Sequence, residues 1–140
     1  EEEQDCFSDN THNSHCYDGL GIRNVYLGRY ERIDGSIVEG PAPAGLVAAA
    51  DPALDQELRE KLDASVAALG AVKAEADSGA EAYDQMIGEG NESGNALVQA
   101  AIEALVDQTR SIERAVAVLG LDSLALEGSD SLDNPGAVFQ

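Results

Sequence analysis

Two stretches of about 25 residues, each with apolar side chains recurring at steps of three and four, constrain this chain more than any other feature. The first, over residues 52–76, places Leu54, Leu58, Leu62, Val66, Leu69 and Val72 in one row, with Glu57, Glu60, Lys61 and Asp63 between them. The second starts near Asn91 or Ser93, runs through Val98, Ile102, Leu105, Thr109, Ile112, Val116 and Leu119, and stops at Gly120. Steps of three and four return to the same face of an α-helix, so each stretch is amphipathic. At 1.5 Å per residue both helices reach about 37 Å. Matched lengths and this spacing suit neighbours that pack nearly antiparallel. Asp51 ahead of Pro52 is a cap followed by a first-turn proline. Only 4% of the chain is aromatic and it has no Trp, so Leu, Val, Ile and Ala must build the core. The expectation is an all-α, up-down helical bundle.

A further helix is expected from a cap at Asn10 or Thr11, with Ile22, Tyr26 and Tyr30 four apart along one face. Gly19, Gly21 and Gly28 weaken it by about 1 kcal/mol each relative to Ala, so it needs tertiary support. Residues 35–43 contain Gly35, Gly40, Pro41 and Pro43 and read as an extended loop, with a short helical turn at 45–50. Gly79 and the glycines of 88–94 leave residues 80–87 as a short helix carrying Tyr83, Met86 and Ile87. The chain thus divides into a helical unit over 1–121 and an acidic tail over 122–140 that contains Gly128, Pro135 and Gly136.

With 27 acidic against 8 basic residues, the formal charge is −19. That field repels nucleic acid phosphates and anionic membrane surfaces and concentrates cations, metal ions included. Its plainer use is solubility. No apolar stretch approaches the roughly 18–20 residues that span a bilayer, so no transmembrane segment is expected. The start, Glu1-Glu2-Glu3-Gln4-Asp5, has neither the basic nor the apolar part of a secretory signal, and the chain reads as a piece of a longer protein. Cys6 and Cys16 are either a small disulfide loop or two free thiols; the sequence leaves both open.

Residues 6–15, Cys-Phe-Ser-Asp-Asn-Thr-His-Asn-Ser-His, hold the densest functional chemistry. His12 and His15 are three apart, as are His15 and Asp18, so a helix places each pair on one face. His12 with Asp9 is the candidate metal pair, with His15 and Asp18 as further donors. The alternative is that His12 hydrogen-bonds within a polar helix junction while His15 is solvated. Ser8, Asp9, Asn10, Thr11 and Arg29 are candidate ligand-binding residues, with Arg23 beside them. Ser8, Asp9 and His12 supply the groups of a nucleophile, acid and base, but residues so close in sequence rarely converge as a triad requires. No catalytic residue is assigned. The acidic neighbours of Cys6 disfavour its thiolate. The 88–94 loop lacks a Lys for phosphate, the acidic residues after 121 lack the pattern of a calcium loop, and Asn91-Glu92-Ser93 is a short glycosylation pattern that occurs often by chance.

The block 6–12, Cys-Phe-Ser-Asp-Asn-Thr-His, and the segment Asn24-Val25-Tyr26-Leu27-Gly28 resemble the start of the second half of the imelysin-like family, which includes iron-regulated protein A and the imelysin peptidases. The resemblance covers about residues 5–121. It implies one half of a two-bundle architecture, with an N-terminal half as partner in the same or a separate chain. It also implies iron or zinc as the metal and a place in the cell envelope, periplasmic or outer-membrane-associated. The Gly-x-His-x-x-Glu motif of the family's earlier half is absent here, and Asn13-Ser14-His15-Cys16 stands where the family has a charged pair. Three functions follow from these readings: metal binding and uptake with a site shared between halves, a metallopeptidase, or a non-catalytic acidic module that docks a basic partner.

Overall fold

The computed structural model describes residues 4–121; the acidic tail read over 122–140 lies outside the described residues. Its two longest elements are α3 (Pro52–Asp77) and α5 (Glu92–Val118), of 26 and 27 residues. The Asp51 carboxylate starts α3 by accepting from the backbone N–H of Ala53 and Leu54, both at 3.1 Å, which satisfies donors a helix N-terminus leaves open. Asn91 starts α5: its Oδ1 accepts from Gly94 N at 3.0 Å and its Nδ2 donates to Gln85 O at 2.7 Å. The side chain that heads the glycosylation pattern therefore serves as a cap. Beneath it Gly94 passes so close to the preceding short helix that a Cβ would lie 2.5 Å from Met86 Cα.

The buried face of α3 follows the expected row at Leu54, Leu58, Leu62, Leu69 and Val72, but Ser65 is buried and Val66 sits at its margin. On α5 the buried stripe is Gly94, Val98, Ala101, Gln108, Ser111 and Ala115. Of the expected row only Val98 is fully buried; Ile102, Leu105, Thr109, Ile112, Val116 and Leu119 flank the stripe and are partly covered. The reason is close approach: small side chains bring α5 against α3, and polar groups fill the centre. The Ser65 hydroxyl donates to Gln108 Oε1 at 2.5 Å, and Ser111 donates to Glu57 Oε1 at 2.8 Å. Arg114 reaches the same Glu57 oxygen at 2.6 Å, and Lys61 pairs with Asp107.

Helix α1 (Thr11–Leu27) ends at Gly28, whose φ of +61 and approach to Gly40 O turn the chain into a hairpin. Strands β1 (Arg29–Glu31) and β2 (Ile37–Glu39) pair antiparallel, with Arg29 opposite Glu39 and Tyr30 opposite Val38. This corrects the extended loop expected over 35–43 and removes Tyr30 from the first helix. The turn has the Asp-Gly chemistry of a tight hairpin: Asp34 Oδ1 accepts from Ser36 N at 2.9 Å and Gly35 has φ +79. Two short helices follow the linkers, α2 (Pro43–Ala50) and α4 (Tyr83–Met86).

Helix α3 is the central element: α1 and α5 both pack along it and make little contact with each other. At one end α2 touches α1, α3 and α5, and its Ala44 and Val47 join Tyr26, Leu54, Leu58, Leu62 and Ala115 in a core. At the other end Leu69, Val72, Met86, Val98 and Ala101 form a second core. The fold is an all-α bundle with one small hairpin. Its α1–α3 contact is locked by Tyr26, whose hydroxyl donates to Asp55 Oδ1 at 2.8 Å while Arg59 Nε donates to Oδ2 at 2.9 Å. Burial, then the Asp55 hydrogen bond and charge, push the Tyr26 phenol well above its ordinary range.

Candidate functional site

A turn over residues 4–9 leads into α1, and its hydrogen bonds explain why so polar a run folds tightly. Asp5 N donates to the fully buried Thr11 hydroxyl at 3.0 Å, and the Ser14 hydroxyl donates to the Asp5 carboxylate. Asn10 caps α1 through its position, and its Oδ1 accepts from Asn13 Nδ2 at 2.9 Å. Ser8, Asp9 and Asn10 are exposed, with Asp9 at φ +49, a left-handed conformation that Asp tolerates better than most residues. Among the described residues no hydrogen bond or ion pair joins Ser8, Asp9 and His12 to one another.

His12 is placed differently. Its side chain is 12% exposed, and its Nδ1 is buried without a hydrogen-bond partner among the described residues. Nε2 lies 3.0 Å from Asn13 Nδ2 and 3.5 Å from Oδ1 of Asp77, in the last turn of α3. With the ring proton on Nε2, it points to Asp77 at 3.5 Å and Nδ1 keeps a free lone pair, but the Asn13 amide must then turn its N–H away from Nε2. With Asn13 donating to Nε2, the proton sits on Nδ1, a buried donor with no acceptor, at a cost of about 1–3 kcal/mol. Either way one ring nitrogen wants a partner. Asp77 itself is held below the usual carboxylate range, chiefly by its hydrogen bond from Lys73 and further by His12.

His12 and His15 sit at one end of a groove of about 360 Å³ between α1 and α5, floored by Leu69 and Val72 of α3. The ring of Tyr83 meets His15 edge-on, with centroids 5.7 Å apart, and Asp18 lies on the same wall. Gly19 lets α1 down onto α3, since a Cβ there would collide with the Leu69 side chain. The groove is otherwise apolar.

His12, His15 and Asp18 line one groove with Tyr83; Asp77 and Asn13 approach His12; and Asp9, read with His12 as the metal pair, is not among the groove's lining residues. No local motif marks Asp77: it lies 65 residues downstream of His12 and meets it only because α1 packs on α3. Arg29 is not part of this neighbourhood. It lies beyond the far end of α1, about 25 Å along the helix by its length, and pairs with Glu39 at 3.4 Å. Arg23 pairs with Asp63. Cys6 is an exposed free thiol, and Cys16 is a free thiol packed against the second core, pushed up by burial with smaller opposing effects of Lys73 and Asp77. Among the described residues no three His, Cys, Asp or Glu side chains are grouped to hold a metal ion. No helix among them is long and apolar enough to cross a membrane.

A comparison with curated proteins finds no match. The model of the peptidase family described as Imelysin matches residues 1–112, which include the polar block, α1, the hairpin, α3 and most of α5. The match spans most of the chain and includes both segments that carry the resemblance in the sequence. This chain belongs to the imelysin family.

Proposed function

We propose that the protein binds a metal ion, iron or zinc, as cargo in metal uptake at the cell envelope, and that His12 is its imidazole ligand in this chain. The observation that supports this reading is the His12 side chain, 12% exposed, with a carboxylate 3.5 Å from one nitrogen and, among the described residues, no partner at the other. Imidazoles that ligate metals usually have their second nitrogen engaged by a carboxylate or carbonyl, which fixes ring orientation and raises ligand basicity. Asp77 is placed for that task, and a cation at Nδ1 selects the tautomer with the proton on Nε2. The charge of −19 enriches cations around the site.

One imidazole and its orienting carboxylate are not a complete ligand set, since protein sites commonly offer three or four donors. In this reading the remaining donors come from an N-terminal imelysin-like half, in the same or a separate chain, and His15 or Asp18 supplies one more at the groove. Asp9, the other residue of the metal pair read from the sequence, is exposed just before α1 and remains a candidate donor. Calorimetric titration of the chain with Zn²⁺ tests the proposal. His12→Ala should weaken the tightest binding step at least about tenfold, the loss that removing even a ligand's orienting partner brings, whereas unchanged affinity with a folded variant contradicts it.

A further inference from the structure

Among the described residues, the largely apolar groove beside His12 is uncovered, where a helical bundle is ordinarily filled. Helices α1 and α5 lie along α3 without closing on each other, so the bundle has a fourth position. At one end α2 occupies it, with Ala44 and Val47 buried against the other three helices. The remaining length is the groove, whose walls carry Ile22 on one side and Val98, Ile102 and Leu105 on the other, over a floor of Leu69 and Val72. Ile22 is 43% exposed there, and Ile102 and Leu105 are only partly covered. The rotation of the α5 stripe away from its largest apolar residues has the same consequence: small side chains face α3, and Ile102 and Leu105 turn toward the groove.

We infer that this groove docks an amphipathic α-helix of a partner protein whose polar face is basic. A volume near 360 Å³ takes two or three large apolar side chains, the number that a helix presents at i, i+3 or i+4, and i+7. The partner's charge follows from this chain's own: at −19, with Asp18 on the groove wall, it attracts a basic helix and repels an acidic one. A second copy of this chain would bring another charge of −19 to the contact. The inference shares the groove and Asp18 with the metal reading but rests on the apolar walls and gives His12 no role, so His12→Ala, which tests the metal, should leave peptide binding unchanged.

The test uses the full chain and two labelled synthetic peptides of about 18 residues, roughly five helical turns, with one leucine stripe and either Lys or Glu on the other face. Fluorescence anisotropy should show the Lys-faced peptide binding the native chain and Ile33→Glu alike, because Ile33 lies on the exposed hairpin turn. Binding to Ile102→Glu should fall at least about tenfold, a difference of about 1.4 kcal/mol. Ile22→Glu, on the opposite wall and already half exposed, should repeat that loss if circular dichroism shows Ile102→Glu to be misfolded. Undiminished binding to Ile102→Glu would reduce the contact to net charge, since the added Glu favours a basic peptide, and equal weakening by Ile33→Glu would show that the loss is not specific to the groove; either result would overturn the inference. So would binding of the Glu-faced peptide with similar affinity, no binding of either peptide, or a dimer of the chain that Ile102→Glu dissociates.

Discussion

At the scale of single residues, the contacts that decide this structure are those where one atom has no room or no substitute. Gly94 faces the Met86 backbone so closely that Gly94→Ala must shift α4 or the start of α5. Such overpacking should destabilise the chain by about 1–3 kcal/mol, read as a lower urea midpoint with an unchanged slope. Tyr26 donates into the mostly buried Asp55, and removal of that hydroxyl in Tyr26→Phe should cost about 1.5–3 kcal/mol. Its pH dependence has a definite sign. The folded-state pKa of Tyr26 is raised above its ordinary value of 10.0, so its contribution is complete below that value and is lost as the pH rises toward the folded one. Urea midpoints measured from about pH 8 to 11 should therefore fall more steeply for the native chain than for Tyr26→Phe. His12 stood out in the sequence because it sits in a run of polar groups. Asp77 did not, because an Asp in the last turn of an acidic helix resembles its neighbours until α1 is packed against it.

At the scale of elements, the long helices were legible because periodicity and caps agree: α3 and α5 begin at Asp51 and Asn91, next to the expected starts. The hairpin was not read, since its strands are three residues long and its Asp34-Gly35 turn lies among other glycines and prolines that signal a loop equally well. The α5 stripe was read about one residue off because the row of largest apolar residues differs from the row that permits closest approach. Polar staples across α3 and α5 mark that approach and predict acid sensitivity. Hydrogen bonds from Ser111 and Arg114 hold Glu57 below its ordinary value of 4.5, and Lys61 holds Asp107 below 3.8. Lowered carboxylate values mean that this stability is present above the ordinary values and disappears as the pH falls through the folded ones. In thermal melts taken from neutral pH down to about pH 3, Glu57→Gln should start lower and decline less than the native chain.

At the scale of the whole molecule, a charge of −19 spread over 140 residues works against compaction, while seven Lys and Arg salt bridges among the described residues offset only part of it. Exposed pairs of this kind contribute little each. Screening the repulsion should therefore outweigh screening the pairs, and the melting temperature should rise as salt increases from about 10 mM to 0.5 M. The same charge directs cations toward a fold whose α1–α3 contact leaves one imidazole nitrogen without a partner among the described residues. The most direct test of that site is a long-range ¹H–¹⁵N spectrum of the two histidine rings during Zn²⁺ titration of the full chain. Loss or displacement of the His12 Nδ1 resonance at the lowest metal levels, with Nε2 remaining protonated toward Asp77, is the predicted result. A His12 ring that keeps its shifts while carboxylate neighbours respond would contradict the assignment of the metal to this site.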